Sequence, residues 1–337
     1  MSILVSGGMG FIGSNFIRYL IKSNENFRII NVDKLTYAGN PENLKDINET
    51  KEIKFYKKDI CDFEAIDTIV NKEKIEYIIN FAAESHVDRS IENPNIFIET
   101  NVIGTQTLLN VAKKRKIKKF LQISTDEVYG SLGFEDPPFT ETNPLFPNSP
   151  YSASKASADL LVHSYHKTYN IPIVITRCSN NYGPYQFPEK LIPLMINNAL
   201  NDKELPVYGK GINIRDWIHV EDHCSAILKI LLEGRIGNVY NIGGDSEKSN
   251  INLIKLLLKI LNKPETLIAF VKDRPGHDLR YAINHQKITN ELNWKPKISF
   301  EKGLKLTINW YQENKKWLNN VINKEYLTYY EKHYKNR

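Results

Sequence analysis

Ser2-Ile3-Leu4-Val5-Ser6-Gly7-Gly8-Met9-Gly10-Phe11-Ile12-Gly13 is the stretch on which the fold turns. A β-type run ends in glycines spaced G-x-x-G-x-x-G, and an amphipathic helical pattern follows over residues 11–23. Glycine permits a tight turn and lets the backbone and the helix N-terminus approach a diphosphate. The next β-type run, Arg28–Asp33, closes on an acidic residue about 20 positions after the loop, the spacing of a dinucleotide site. A carboxylate at Asp33 accepts from a ribose 2′-hydroxyl and repels a 2′-phosphate, so NAD is predicted over NADP, with Lys34 as a counterweight. Gly7, Gly10, Phe11, Ile12, Gly13 and Asp33 are the first cofactor candidates. Asp59 and Ile60, after the third strand, are placed to meet an adenine, although an aspartate there also suits a helix N-cap.

Outward from the loop, short β-branched runs alternate with helical stretches. Strands are predicted at Ser2–Ser6, Arg28–Asp33, 53–56, 77–81, 120–124 and 173–176, and helices at 11–23, Phe63–Lys72, 96–114 and 151–169. This alternation predicts an α/β chain built on a Rossmann-like, doubly wound parallel sheet, with ligands at the carboxyl ends of the strands. Beyond about residue 180 it breaks down into a Gly/Pro loop, a helix at 190–201 and a strand at 206–208. The division expected is 1–180 for the dinucleotide and the catalytic residues, and 181–337 for a smaller α/β substrate lobe with segments threading back. The aromatic-rich stretch 310–334 has a helical pattern and is read as packing.

The chain of 337 residues is 41% hydrophobic and 25% charged, an ordinary soluble composition. Its net charge of +6 is scattered. The densest basic run, Lys113-Lys114-Arg115-Lys116, falls at a helix end where cations suit the dipole, so no nucleic acid is expected. Cys61, Cys178 and Cys224 lack metal-ligand spacing and read as thiols of a reducing compartment; no metal is expected. No apolar run approaches the ~20 residues of a membrane span. With no signal peptide visible before the first strand, a cytoplasmic protein is expected.

Two further motifs carry chemistry. Ser124-Thr125-Asp126-Glu127-Val128-Tyr129-Gly130 follows a strand, so two adjacent carboxylates behind a hydroxyl sit where side chains reach a ligand. In a partly dry pocket both are not ionised together, which leaves one acid and one base. Tyr151-Ser152-Ala153-Ser154-Lys155 opens a helix, and the i, i+4 spacing puts Tyr151 and Lys155 on one face. A neighbouring ammonium stabilises a phenolate, which makes Tyr151 a candidate base.

With these residues in place, the chain resembles the extended short-chain dehydrogenase/reductase family, and within it the nucleotide-sugar 4,6-dehydratases. The resemblance rests on the stretches 7–14, 33–40, 81–90, 124–130, 150–159 and 178–185, on Arg215-Asp216-Trp217 and on Asp273-Arg274-Pro275-Gly276-His277-Asp278. It implies NAD-dependent dehydration of dTDP-glucose, with NAD tightly held. Tyr151 takes the 4-hydroxyl proton, Thr125 steadies the C4 oxygen, Glu127 takes the C5 proton, Asp126 protonates the leaving 6-hydroxyl, and Lys155 holds the nicotinamide ribose. It also implies Lys34, Leu35, Thr36, Phe81, Ala82, Ala83, Ser85, Thr100 and Asn181 on the cofactor side. For the substrate it implies Ser85, Thr125, Asn180, Lys190, Leu191, Pro206, Val207, Tyr208, Arg215, Asn250, Arg274 and His277. A homodimer is implied, with the helices over 96–114 and 151–169 as candidates for its interface. The product would feed rhamnose or another deoxysugar of cell-surface polysaccharide. The competing readings are a 4,6-dehydratase of a UDP-linked hexose; a 4-epimerase or a decarboxylase, neither of which has a use for the Asp126/Glu127 pair; and a silent NAD-binding module, which has no use for Tyr151 and Lys155 either.

Overall fold

The computed structural model describes residues 1–23, 25–47 and 53–322. In chain order its first half runs β1 (Ser2–Ser6), α1 (Phe11–Lys22), β2 (Arg28–Asp33), β3 (Ile53–Lys57), α2 (Phe63–Lys72), β4 (Tyr77–Asn80), α3 (Val87–Glu92), α4 (Pro94–Phe97), α5 (Gly104–Arg115), β5 (Lys119–Thr125), α6 (Pro150–Tyr169) and β6 (Ile173–Cys178). The rest runs β7 (Asn180–Tyr182), α7 (Leu191–Leu200), β8 (Leu205–Tyr208), β9 (Ile214–His219), α8 (Val220–Glu233), β10 (Val239–Ile242), β11 (Glu247–Ser249), α9 (Asn250–Leu261), β12 (Ile268–Val271), β13 (Arg280–Tyr281), α10 (Gln286–Leu292), α11 (Phe300–Glu313) and α12 (Lys315–Val321).

Seven strands form the main sheet in the order β10-β6-β5-β4-β1-β2-β3. All six pairings are parallel, so every carboxyl end lies along one edge. β1, β5 and β6 are buried throughout, as expected of strands covered on both faces. One face packs Phe16, Ile17 and Leu20 of α1 with Ile227 and Ile230 of α8; the other packs Ile66 and Ile69 of α2, Leu108 and Val111 of α5 and Val162 of α6. Strand order reverses between β1 and β4, which sets the glycine loop against the segment after β4 at the switch point. A third apolar cluster joins α7, α9, α11 and α12 in the smaller lobe, whose short sheets are β11-β9-β13, with β7 on β9, and β12-β8.

Two expected elements differ. The helix over 96–114 is interrupted: α4 widens into a π-helical turn, Ile98–Ile103, before α5 begins at Gly104. A π turn adds a residue to the helical circuit and shifts the phase of α5 relative to α4, which a purely periodic reading does not register. The tail pattern over 310–334 breaks at Asn314 between α11 and α12, and its part beyond residue 322 lies outside the described residues. The three cysteines are unpaired. No helix among the described residues is long and apolar enough to cross a membrane.

Candidate active site

Two clefts open at the carboxyl edge of the main sheet. The first is built by the glycine loop. Gly7 has φ +72°, and a Cβ there would stand 2.6 Å from Ala82 N, while one on Gly13 would stand 2.3 Å from Gly7 O. Only glycine allows the loop to lie this close to the end of β4 and to its own helix. Asp33 is locked by the same loop: Met9 N donates to its Oδ2 at 2.9 Å and Leu35 N to its Oδ1 at 2.8 Å. Burial raises the Asp33 pKa, and these two N–H donors work against that shift. Lys34 pairs with Asp59 at 2.6 Å. Burial opposes ionisation of Asp59, but Lys34 and the Cys61 N–H outweigh it and hold its pKa below the usual range. The helix-cap alternative for Asp59 is excluded, because Asp62 caps α2 through Ala65 N.

Gly7, Gly10, Asp33, Lys34, Thr36, Asp59, Ile60, Phe81, Ala82, Ala83 and Thr100 line this cleft, together with Gly39, Lys58 and Glu84. The structure does not bring the remaining cofactor candidates onto its wall. Phe11 and Ile12 sit half-buried in the first turn of α1, and Gly13 lies under the loop. Leu35 takes a left-handed turn at φ +59°. Ser85 lines the second cleft. Asn181 spends its amide on Ser179 O at 3.0 Å, and its Oδ1 lies 2.8 Å from His223 Nδ1.

The second cleft opens beside the end of β5, where Glu127 lines it. Ser85, Glu127, Asn180, Lys190, Leu191, Pro206, Val207, Tyr208, Arg215, Asn250, Arg274 and His277 line it. Lys190 Nζ donates to Ser85 O at 2.7 Å, and burial lowers its pKa. Arg215 lies over the Tyr281 ring at 4.2 Å and donates to Asp278 O at 3.0 Å. Burial lowers the His277 pKa despite its 2.7 Å contact to Asp273.

The catalytic candidates lie where β5 ends. Thr125 caps the 3-10 turn Asp126–Tyr129 by accepting from Glu127 N at 3.3 Å, and its hydroxyl donates to Asp126 Oδ1 at 3.3 Å. Ser149 and Ser152 form a capping box that starts α6 at Pro150, which puts Tyr151 in the first turn and Lys155 in the second. Tyr151 and Asp126 are 8% and 2% exposed, so both are cut off from bulk water. The two carboxylates differ in surroundings. Burial, then the charges of Glu127 and Asp216, raise the Asp126 pKa well above the usual range. Burial also raises Glu127, but the cations Arg215, Lys190 and Arg274 pull it back. Asp126 therefore holds a proton more tightly than Glu127, and its Oδ2 is buried with no hydrogen-bond partner.

Lys155 Nζ donates to Ile123 O at 2.7 Å, and burial lowers its pKa. Burial and the Glu127 charge push the Tyr151 phenol well above its usual pKa, against the Thr125 hydroxyl.

Sequence reasoning assigned no role to Asp88 or Glu189. Asp88, 3% exposed, takes Arg274 Nε at 2.8 Å and Tyr208 OH at 3.3 Å, and so anchors two cleft walls at once. Glu189, on the cleft wall, takes Arg89 Nε at 3.1 Å and Tyr37 OH at 2.9 Å. The only signal for them in the sequence is charge in the stretches around 81–90 and 189–190, since the partners lie 100 or more residues apart.

Residues 4–307 match the family described as GDP-mannose 4,6-dehydratase. The dTDP-glucose 4,6-dehydratase of Salmonella typhimurium is 48% identical over 361 aligned positions, covering 100% of both chains. The crystal structure of dTDP-glucose 4,6-dehydratase from Bacillus anthracis in complex with NAD is 52% identical, with a TM-score of 0.90 over 95% of this chain and 99% of that one. The Streptomyces venezuelae enzyme of the same name, with NAD and dTDP bound, is 46% identical, with a TM-score of 0.93 over 95% and 100%. A glycine loop closed by Asp33, an acid–base pair in unlike fields and a cation-lined cleft thus meet a likeness that runs the length of the chain. This chain belongs to the dTDP-glucose 4,6-dehydratase family of the extended short-chain dehydrogenase/reductases.

Proposed function

We propose that this protein converts dTDP-glucose to dTDP-4-keto-6-deoxyglucose with NAD as a retained cofactor. The observation that carries the proposal is the adjacent pair Asp126 and Glu127 at the end of β5, the first buried, the second half-buried on the wall of the second cleft, and the two held in unlike fields. The first cleft fits NAD: its glycines leave no room for a Cβ at Gly7 or Gly13, and Asp33 is preset by two backbone donors. Gly7 and Gly10 would lie against the diphosphate with Gly13 packed beneath the loop, Asp33 would hold the adenosine ribose, and Lys155 the nicotinamide ribose. NAD, when bound, supplies a hydride acceptor for sugar C4 and a hydride donor for C6.

Tyr151, acting as the phenolate, receives the 4-hydroxyl proton. The Thr125 hydroxyl donates to the C4 oxygen. A ketone at C4 acidifies the C5 proton, which Glu127 removes. Asp126, the better proton holder, protonates the 6-hydroxyl so that water leaves, and a proton then returns to C5. Lys190, Arg215 and Arg274 neutralise the substrate diphosphate, the arginines by bidentate contact. Pro206, Val207 and Tyr208 wall the base.

Residues 1–180 carry cofactor and catalysis, and 181–337 mainly hold substrate. The assembly is a cytoplasmic homodimer. Ile91, Ile96, Ile98, Ile103 and Leu160 favour it, being 36–61% exposed on the helical side formed by α3 to α6. The product serves deoxysugar synthesis, rhamnose included, for cell-surface polysaccharide.

The test is mass spectrometry of the purified protein with dTDP-glucose, UDP-glucose, UDP-glucuronate and UDP-N-acetylglucosamine, without added cofactor. Loss of one water from dTDP-glucose is expected. Loss of carbon dioxide from UDP-glucuronate, or no mass change with any sugar, would overturn the reading.

A further inference from the structure

The tail helix α12 is wired into the glycine loop. Trp317, 8% exposed, belongs to the apolar core of the smaller lobe, yet its Nε1 donates to Asn43 Oδ1 at 2.9 Å. Asn43, 2% exposed, sits on the short 3-10 turn Pro41–Asn43 in the other half of the chain. Its Nδ2 donates to Met9 O at 2.9 Å, an oxygen that also accepts from Asn40 N at 3.0 Å. Met9 N is the donor to Asp33 Oδ2. The line of bonds therefore runs from indole to amide to the middle of the glycine loop, and on to the carboxylate at the end of β2.

Peptide planarity gives this line leverage. The Met9 carbonyl and the Gly10 N–H share one rigid plane, so fixing Met9 O fixes where the Gly10 N–H points. The Gly10 N–H returns to Gly7 O at 3.1 Å and closes the turn. A second set of contacts braces the same junction. Arg18 donates to Asn43 O at 3.1 and 2.7 Å while lying 4.5 Å over the Tyr185 ring. Tyr185 packs on Trp310 and Trp317 at 4.6 and 5.8 Å, and its backbone is left-handed at φ +68°. A bulky residue persists in that conformation only where its surroundings over-determine it, and such residues cluster at functional sites.

We propose that Trp317 is a positioning residue for the cofactor: through Asn43 it clamps the glycine loop and sets how slowly NAD is exchanged. The proposal rests on the NAD reading above and assigns the tail, which the sequence presents as packing, a part in cofactor retention. An enzyme that regenerates its cofactor in every turnover loses activity each time the cofactor escapes, so a clamp drawn from the other lobe serves the cycle directly.

The test is exchange of bound NAD for isotopically labelled NAD in the holoenzyme, followed by mass spectrometry. Trp317→Phe keeps the ring in its cluster and removes only the donor. Exchange is expected to quicken by about tenfold, the worth of a buried amide oxygen left without a partner, while the KM for dTDP-glucose stays within about twofold. Asn43→Asp keeps the acceptor for Trp317 but turns an oxygen towards Met9 O, and is expected to quicken exchange at least as much. Wild-type exchange in both variants, with a lowered melting temperature as the only change, overturns the clamp and leaves Trp317 a packing residue. Asp33→Asn run alongside separates the two readings. If it weakens NAD while the clamp variants do not, only the clamp falls; if it leaves NAD unaffected, the cofactor assignment falls with it.

Discussion

Asp33→Asn replaces one carboxylate oxygen with an amide and leaves the volume unchanged. In the structure each oxygen has its own backbone donor, Met9 N at 2.9 Å and Leu35 N at 2.8 Å. An asparagine can satisfy one of them; the other then faces an NH2 group and has no acceptor. The orphaned donor costs about 1–3 kcal/mol, which falls on the stability of the loop. The ribose loses a charged acceptor worth about 1.5–3 kcal/mol, which at 1.4 kcal/mol per decade weakens NAD by about ten- to a hundredfold. NADP should gain little in return, because Lys34, the nearest cation in the sequence, is committed to Asp59 at 2.6 Å. The assay is titration of stripped protein with NAD and NADP, followed by fluorescence quenching. An unchanged NAD affinity in the variant would refute the reasoning, and equal NAD and NADP affinities in the wild type would refute the cofactor assignment.

Three more outcomes follow from the acid–base pair. Glu127→Gln should still reduce bound NAD when dTDP-glucose is added, read at 340 nm, while dehydration falls by about 10²–10⁴-fold; unimpaired dehydration would sink the assignment. Because burial raises Glu127, wild-type kcat should fall with acid earlier than an ordinary glutamate would dictate. Asp126→Asn should be more stable than wild type although inactive. The raised folded pKa means that protonated Asp126 stabilises the fold fully below the unfolded value of about 3.9, and that this contribution is lost as pH rises through the folded value. Asparagine does not ionise, so its advantage in melting temperature should be larger at pH 8 than at pH 4; a variant less stable than wild type at both would contradict the burial argument.

What the sequence made legible is what local chain chemistry determines. The run Ser2–Ser6, the glycine spacing and Asp33 are contiguous signals, and β1, β2 and α2 begin and end where periodicity puts them. Tyr151 and Lys155 follow from helical spacing once Ser149-Pro150 marks the start of α6. The interruption at Ile98–Ile103 was not legible, because an added residue in the helical circuit leaves no trace in an apolar pattern that stays helical throughout. The partners of Arg274 and Glu189 were hidden for a different reason: Asp88 meets Arg274 across 186 residues, and such pairings are set by how the two halves of the chain meet. The orientation of Lys155 towards Ile123 O depends on a strand 32 residues away and likewise has no local signature.

The pairing of β10 with β6 has a consequence for how this chain is made. β6 is buried along its whole length, yet the strand that covers its outer side is not complete until residue 242 has been synthesised. At about 5–20 residues per second, the roughly sixty residues between them keep that apolar edge open for several seconds on the ribosome. An uncovered edge of this kind is a template for pairing with other chains. The order of synthesis thus puts the hazard at β6 rather than at the catalytic loops, and a nascent or clipped chain ending near residue 180 would carry every catalytic side chain while remaining the form most prone to aggregate.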